Sequence, residues 1–192
     1  MADYTSLQAD IAQWSLRSDM GTLIPSFIAL AEDEIFRMHV SPLRVREMET
    51  EADLTVAGLT ATLPADFLEA RYIKQDNAER DTLFYFPPES WKPSSSGYFT
   101  IVGDEIRLPT GMPSNLKLVY YAKPDPLATT STNTILTKYY AAYLEAGLKF
   151  LYTYLRDAAK IQAAQMALDT YLATANMRNK PASAGGLRVI AA

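Results

Sequence analysis

The sequence predicts an α+β fold: a helical body of about four helices, a β-rich insertion between helix two and helix three, and an extended C-terminal tail. Three observations predict it. Apolar residues recur at helical spacing within residues 1–40 and again over 135–178. Between them, over residues 47–123, the period changes to two. Beyond residue 180, Pro181 and the pair Gly185-Gly186 leave no periodic segment. Residues 1–180 are expected to form one domain, and residues 181–192 a flexible tail.

Helix one covers residues 5 to 14 or 16. Leu7, Ile11 and Trp14 fall at i, i+4 and i+7 on one face, and Asp3 or Thr5 can cap it. Ser18-Asp19-Met20-Gly21 is a turn. Helix two runs over about 23–38, with Pro25 in its first turn, where a missing N–H does no harm. Ile24, Phe27, Ile28, Ala31, Ile35 and Met38 are its expected buried stripe, and Glu32, Asp33, Glu34 and Arg37 its outer face. The two form a helical hairpin, ended by Ser41-Pro42.

In the insertion, Met48, Thr50, Ala52, Leu54 and Val56 alternate with Glu47, Glu49, Glu51, Asp53 and Thr55. That is a strand with one half-buried and one acidic face. Gly58 turns the chain. Residues 61–63, 67–74 and 83–86 are further strands, the last stopped by Pro87-Pro88. Residues 99–102 and 105–108 flank Gly103-Asp104, a tight hairpin. The strand at 118–122 closes at Lys123-Pro124, because proline cannot donate to a ladder.

Residues 129–134 favour loops and helix N-caps. Helix three, 135–155, is the most aromatic stretch. Tyr139, Tyr140, Tyr143, Phe150, Tyr152 and Tyr154 join five leucines, so its apolar arc far exceeds the roughly 100° that one packed face needs. Either it is the central helix of a bundle, or it is shared between its own domain and a neighbouring subunit. On the second reading Tyr139, Tyr143, Phe150 and Tyr154 form a subunit interface, since tyrosine is apolar in body and polar at the tip. Helix four spans about 158–177 and ends at Asn179-Lys180-Pro181.

The 192 residues suffice for one domain with its own core. Net charge −4 and a pI near 5.1 argue against broad contact with nucleic-acid phosphates. The chain has no cysteine, so disulfides and thiolate chemistry are excluded. No apolar run approaches the ~18 residues of a membrane span. Met1-Ala2-Asp3-Tyr4 lacks a signal-peptide pattern, and synthesis in a cytoplasm is expected.

Candidate chemistry is sparse. His39 is the single histidine, so a histidine-based zinc site is not supported. Beside Ser41 at a helix end, it reads as a polar boundary residue rather than a catalytic base. Neither phosphate-loop nor dinucleotide glycine pattern occurs. Glu47, Glu49 and Glu51 share a strand face at ~6.6–7 Å intervals, a separation that inverting glycosidases use. Their even repetition reads instead as an exposed acidic face.

The ordered set Ile11-Ala12, Trp14, Arg17, Asp19, Ile24-Pro25-Ser26-Phe27-Ile28, Leu30-Ala31-Glu32, Ile35, Arg37, Arg44-Val45-Arg46-Glu47-Met48-Glu49-Thr50, Leu63-Pro64-Ala65-Asp66-Phe67-Leu68-Glu69, Tyr120-Tyr121-Ala122, Thr132-Asn133 to Leu136-Thr137 and Gly185-Gly186-Leu187-Arg188 resembles the tailed-phage head-to-tail adaptor (connector) proteins. The resemblance covers most of the chain. It implies a structural virion protein without catalytic, metal or cofactor site, made in the bacterial host. It implies a ring of twelve copies in the neck, joining the portal to downstream tail or nozzle proteins, with DNA passing through unread. Glu47, Glu49 and Glu51 would then face either solvent or the DNA channel. Leu187, Arg188, Val189 and Ile190, alternating and β-compatible, would add a strand to a portal edge. The competing readings are a phage-associated cell-wall hydrolase using paired carboxylates and a cellular helical binding module.

Overall fold

The computed structural model describes residues 2–75 and 82–183, with side chains through Arg178. The chain divides into two compact units, one of Met1–Glu47 with Pro124–Ala192 and one of Met48–Lys123. Among the described residues, six α-helices and a closed barrel of seven strands replace the expected helical body of about four helices with a β-rich insertion.

In the helical unit, α1 is Tyr4–Ser15, and its N-cap is Asp3, whose carboxylate accepts from the Ser6 N–H at 2.7 Å. Leu7 and Ile11 are buried as expected. Trp14 is not: it is 60% exposed, and Ser15 is buried instead. α2, Ile24–Asp33, starts with Pro25 in its first turn. It ends in a π-helical turn over Glu34–Met38, where the His39 N–H bonds the Glu34 carbonyl five residues back. The wider turn shifts the buried stripe. Ile35 and Phe36 are both fully buried, while Met38, expected inside, is 58% exposed.

Two acids expected on the outer face point inward. Glu32 is buried, and its Oε1 accepts from the Leu127 N–H at 3.1 Å, which satisfies an otherwise orphaned donor of α3, Leu127–Thr130. Glu34 pairs with Lys149 at 2.8 Å, both largely shielded. Glu32→Ala is expected to lower stability by about 1–3 kcal/mol, because it strands a buried N–H. Glu32→Gln, which keeps an acceptor, should cost clearly less, and urea unfolding of both variants separates the two.

The expected helix three is two helices. α4, Thr134–Lys138, is capped by Asn133, which accepts from the Leu136 N–H at 2.7 Å. The backbone leaves helical geometry at Tyr139 and resumes as α5, Tyr140–Leu155. α5 is central and packs on α1, α2 and α6. Its approach to α1 is close at Gly147, where a Cβ would lie 2.6 Å from Ile11 Cδ1. After a left-handed Arg156, α6 runs from Ala158 to Ser183, past the proline expected to stop it. Proline's own φ is helical, so near a helix end it removes one bond without ending the helix.

The other unit is the barrel, ordered β1-β2-β6-β5-β4-β3-β7 and back to β1. Its strands are β1 Glu49–Ala57, β2 Thr60–Thr62, β3 Phe67–Gln75, β4 Thr82–Tyr85, β5 Tyr98–Val102, β6 Glu105–Arg107 and β7 Asn115–Ala122. β1 alternates as its sequence demands, with Leu54 inside and Glu51, Asp53 and Thr55 outside. Gly58 and Gly103 turn the two hairpins at φ of 67° and 62°, a region that side chains strain to enter. Closure comes from β7, which pairs with both β1 and β3, and from a short parallel contact of β4 with β5. Ile73, Phe99, Ile106, Leu108 and Leu118 fill the interior with no exposure. No described helix is long and apolar enough to cross a membrane.

Candidate functional site

The aromatic surplus of α5 is consumed by its own bundle. Tyr143 is fully buried and meets Phe36 edge-on at 6.2 Å, so it cannot belong to the subunit interface expected of it. Tyr139 is half-buried and donates to Glu47 Oε2 at 3.2 Å. Phe150 is half-buried, with the Lys149 ammonium 5.4 Å from its ring. Of the four, Tyr154 alone is exposed, at 57%, with Phe27 5.9 Å away. A helix covered by three neighbours needs an apolar arc as wide as this one.

Sequence reasoning missed the apolar residues that do face outward. Trp14 and Leu16 stand at the end of α1, and Leu16, 88% exposed, sits in the left-handed region at φ 57°. A leucine there costs roughly 1–2 kcal/mol relative to glycine-like freedom. The signal was available, since helix one ends without a glycine C-cap.

The acidic triplet is divided between the two units. Glu47 precedes β1 and belongs to the helical unit, where Lys138 holds it at 2.6 Å. Glu49 and Glu51 lie on β1, paired with Arg71 and with Lys74, and Asp53 faces Lys117 at 3.7 Å. The β1 surface is thus charge-balanced, because β3 and β7 bring cations beside each carboxylate. An inverting glycosidase uses two carboxyls that both face the sugar, whereas here Glu49, Glu51 and Asp53 are each engaged by a cation on a neighbouring strand.

The Lys138 hydrogen bond, foremost, lowers the Glu47 pKa below its usual 4.5. A lowered carboxyl contributes stability above its unfolded pKa and loses it as pH falls through the folded one. Acid unfolding of the chain should therefore include a step below about pH 4.5 that Glu47→Gln removes. Identical acid limbs in the two proteins would contradict this assignment.

His39 resembles a catalytic residue only in its neighbours. Its Nε2 meets Asp169 Oδ1 at 2.8 Å, and the Ser41 backbone N–H donates to Nδ1 at 3.0 Å. The Ser41 carbonyl oxygen also lies 3.1 Å from Nδ1, and the ring's contact with Asp169 holds that carboxyl below the usual carboxylate range. The Ser41 hydroxyl instead accepts from Asn176 at 3.2 Å. A triad needs the ring to take the serine hydroxyl proton, and here the ring ties residues 39–41 to α6. Among the described residues no three His, Asp or Glu cluster as metal ligands.

The helical unit also holds a groove of about 380 Å³ between the start of α5 and the C-terminal half of α6. Leu43, Ala142, Leu172 and Ala175 line it, with Lys138 and Arg178. The expected docking residues Leu187, Arg188, Val189 and Ile190 lie outside the described residues.

No curated protein matches this chain. The family model described as SU10 adaptor protein matches residues 2–189, through both units and most of the C-terminal segment. The chain therefore belongs to the SU10 adaptor protein family, a family of phage head-to-tail adaptors.

Proposed function

We propose that this chain is one subunit of a ring of about twelve copies, which joins the portal of a phage virion to its downstream tail or nozzle proteins. The match over residues 2–189 carries the reading. DNA passes through the ring without being read, in keeping with a net charge of −4. If Glu49 and Glu51 face that passage, they do so as members of ion pairs and repel phosphate less than a bare acidic wall. The role is structural, not enzymatic, and the protein is made in the host's cytoplasm before it joins the virion neck. Residues 187–190 dock on the portal as an added strand.

The test is to mix the full chain with its portal and image the product. Rings under the portal support the reading; scattered single copies, or none, refute it. Removing residues 184–192 is expected to abolish decoration, while the thermal unfolding of the free chain hardly moves.

A further inference from the structure

The helical unit carries two apolar features that its own packing leaves uncovered. The first projects: Trp14 and Leu16 end α1, and Tyr154 stands beside them, close to both Arg17 and Phe27. The second is concave. Met38 and Val40, both exposed, border a hollow of about 600 Å³ between the end of the π-helical turn and α6, together with Glu34, Asp169 and Ala173. Phe27, which touches Tyr154, and Met38 lie on one continuous helix, about 16 Å apart at ~1.5 Å per residue. The Trp14 side chain cannot cross that span, so a chain does not fill its own hollow.

We propose that Trp14 and Leu16 of one copy seat in the hollow of a second copy of this chain, so that subunits join head to tail. This contact, together with the ring reading on which it rests, is the joint between neighbouring subunits. Subunits of a ring of more than two copies meet through two unlike patches, whereas a two-fold dimer uses one patch twice. A projection near one end of α2 and a hollow at the other are two unlike patches.

Chemistry and strain agree with it. Indole is apolar in body with one N–H donor at its edge, the kind of side chain that anchors an interface. Met38 and Val40 offer it apolar walls, and a methionine adapts its shape to a ring. In the hollow, His39 and Gln165 occupy Oδ1 of Asp169, which leaves Oδ2 to accept the indole N–H. Leu16 holds a left-handed backbone that glycine would adopt freely, and strain of this kind persists where it serves a contact. Here it turns a leucine outward beside Trp14.

The chain has no cysteine, so paired substitutions report on the contact without background. Full-length Leu16→Cys chains are mixed at high concentration with Val40→Cys chains of a different tag and oxidised mildly. Linked heterodimers should form at least several-fold faster than in a mixture of Leu16→Cys with Thr55→Cys, an exposed site on the barrel. Trp14→Ser in the Leu16→Cys chain, outside the core, should erase that preference without moving thermal unfolding. Equal rates in the two mixtures, or no linkage, would overturn the proposal. Leu16→Cys chains that link to one another faster than to Val40→Cys chains would overturn it too, since that contact is two-fold. The ring reading fails separately: linkage without decoration of the portal leaves the head-to-tail contact standing, and a decorated portal beside equal linkage rates leaves the ring standing on other surfaces.

Discussion

Tyr143→Ala is expected to lower the stability of the chain by about 3–5 kcal/mol, whereas Tyr143→Phe should leave it unchanged or raise it by up to about 2 kcal/mol. The opposite outcomes follow from one side chain. Its ring is fully buried against Phe36 at the centre of the helical unit, so truncation opens a cavity where α2 meets α5. Its hydroxyl makes no well-formed hydrogen bond among the described residues, although Asn133 lies beside it. Burial, helped by the nearby Glu32 carboxylate, pushes the phenol far above its ordinary pKa, so it stays neutral. Deleting an unsatisfied buried hydroxyl removes a penalty and little packing. Urea unfolding of the two variants decides the matter. A loss above about 1 kcal/mol for Tyr143→Phe would mean that the hydroxyl has a strong partner.

The second large effect is in the barrel. Phe99→Ala should cost about 3–5 kcal/mol. Phe99 has no exposure, lies on β5 and meets Tyr85 of β4 edge-on at 6.1 Å. The β4–β5 pairing, which closes the sheet, rests on two residue pairs, Phe84 with Tyr98 and Tyr85 with Phe99. So short a ladder depends on side-chain packing more than on hydrogen bonds, and Phe99 supplies that packing. Trp91 reports on this region, since its indole N–H donates to the Tyr98 carbonyl at 3.2 Å. In a Trp14→Phe background, its fluorescence follows barrel unfolding with urea. A midpoint unchanged by Phe99→Ala would show that closure does not rely on this ring.

Thr100, the next residue of β5, buries a second hydroxyl with no partner among the described residues. Thr100→Val should accordingly be neutral or stabilising, and the same fluorescence measurement checks it.

By itself the sequence determined where most elements lie and what kind each is. Hydrophobic period is a local property: Leu7 and Ile11 face the core of α1, and β1 alternates, for the reasons their spacing predicted. Caps and breakers are local too, as Asp3, Asn133, Gly58, Gly103 and the stop after Ala122 show. The ordered motifs carried the family as well, because they are linear strings.

Only the tertiary structure decided the rest, because each missed feature depends on residues distant in the chain. The π-helical turn traded Met38 for Phe36 in the core, and Glu32 is buried because it meets the N–H of Leu127, 95 positions away. Barrel closure depends on β7 reaching β1 and β3, and on β4 reaching β5. The acidic strand face became a set of ion pairs only when Arg71, Lys74 and Lys117 arrived on neighbouring strands. The aromatic coat of α5 was legible as an excess, but whether three helices or another subunit covers it is a question of packing. Composition counts apolar area, and only the fold says what that area touches.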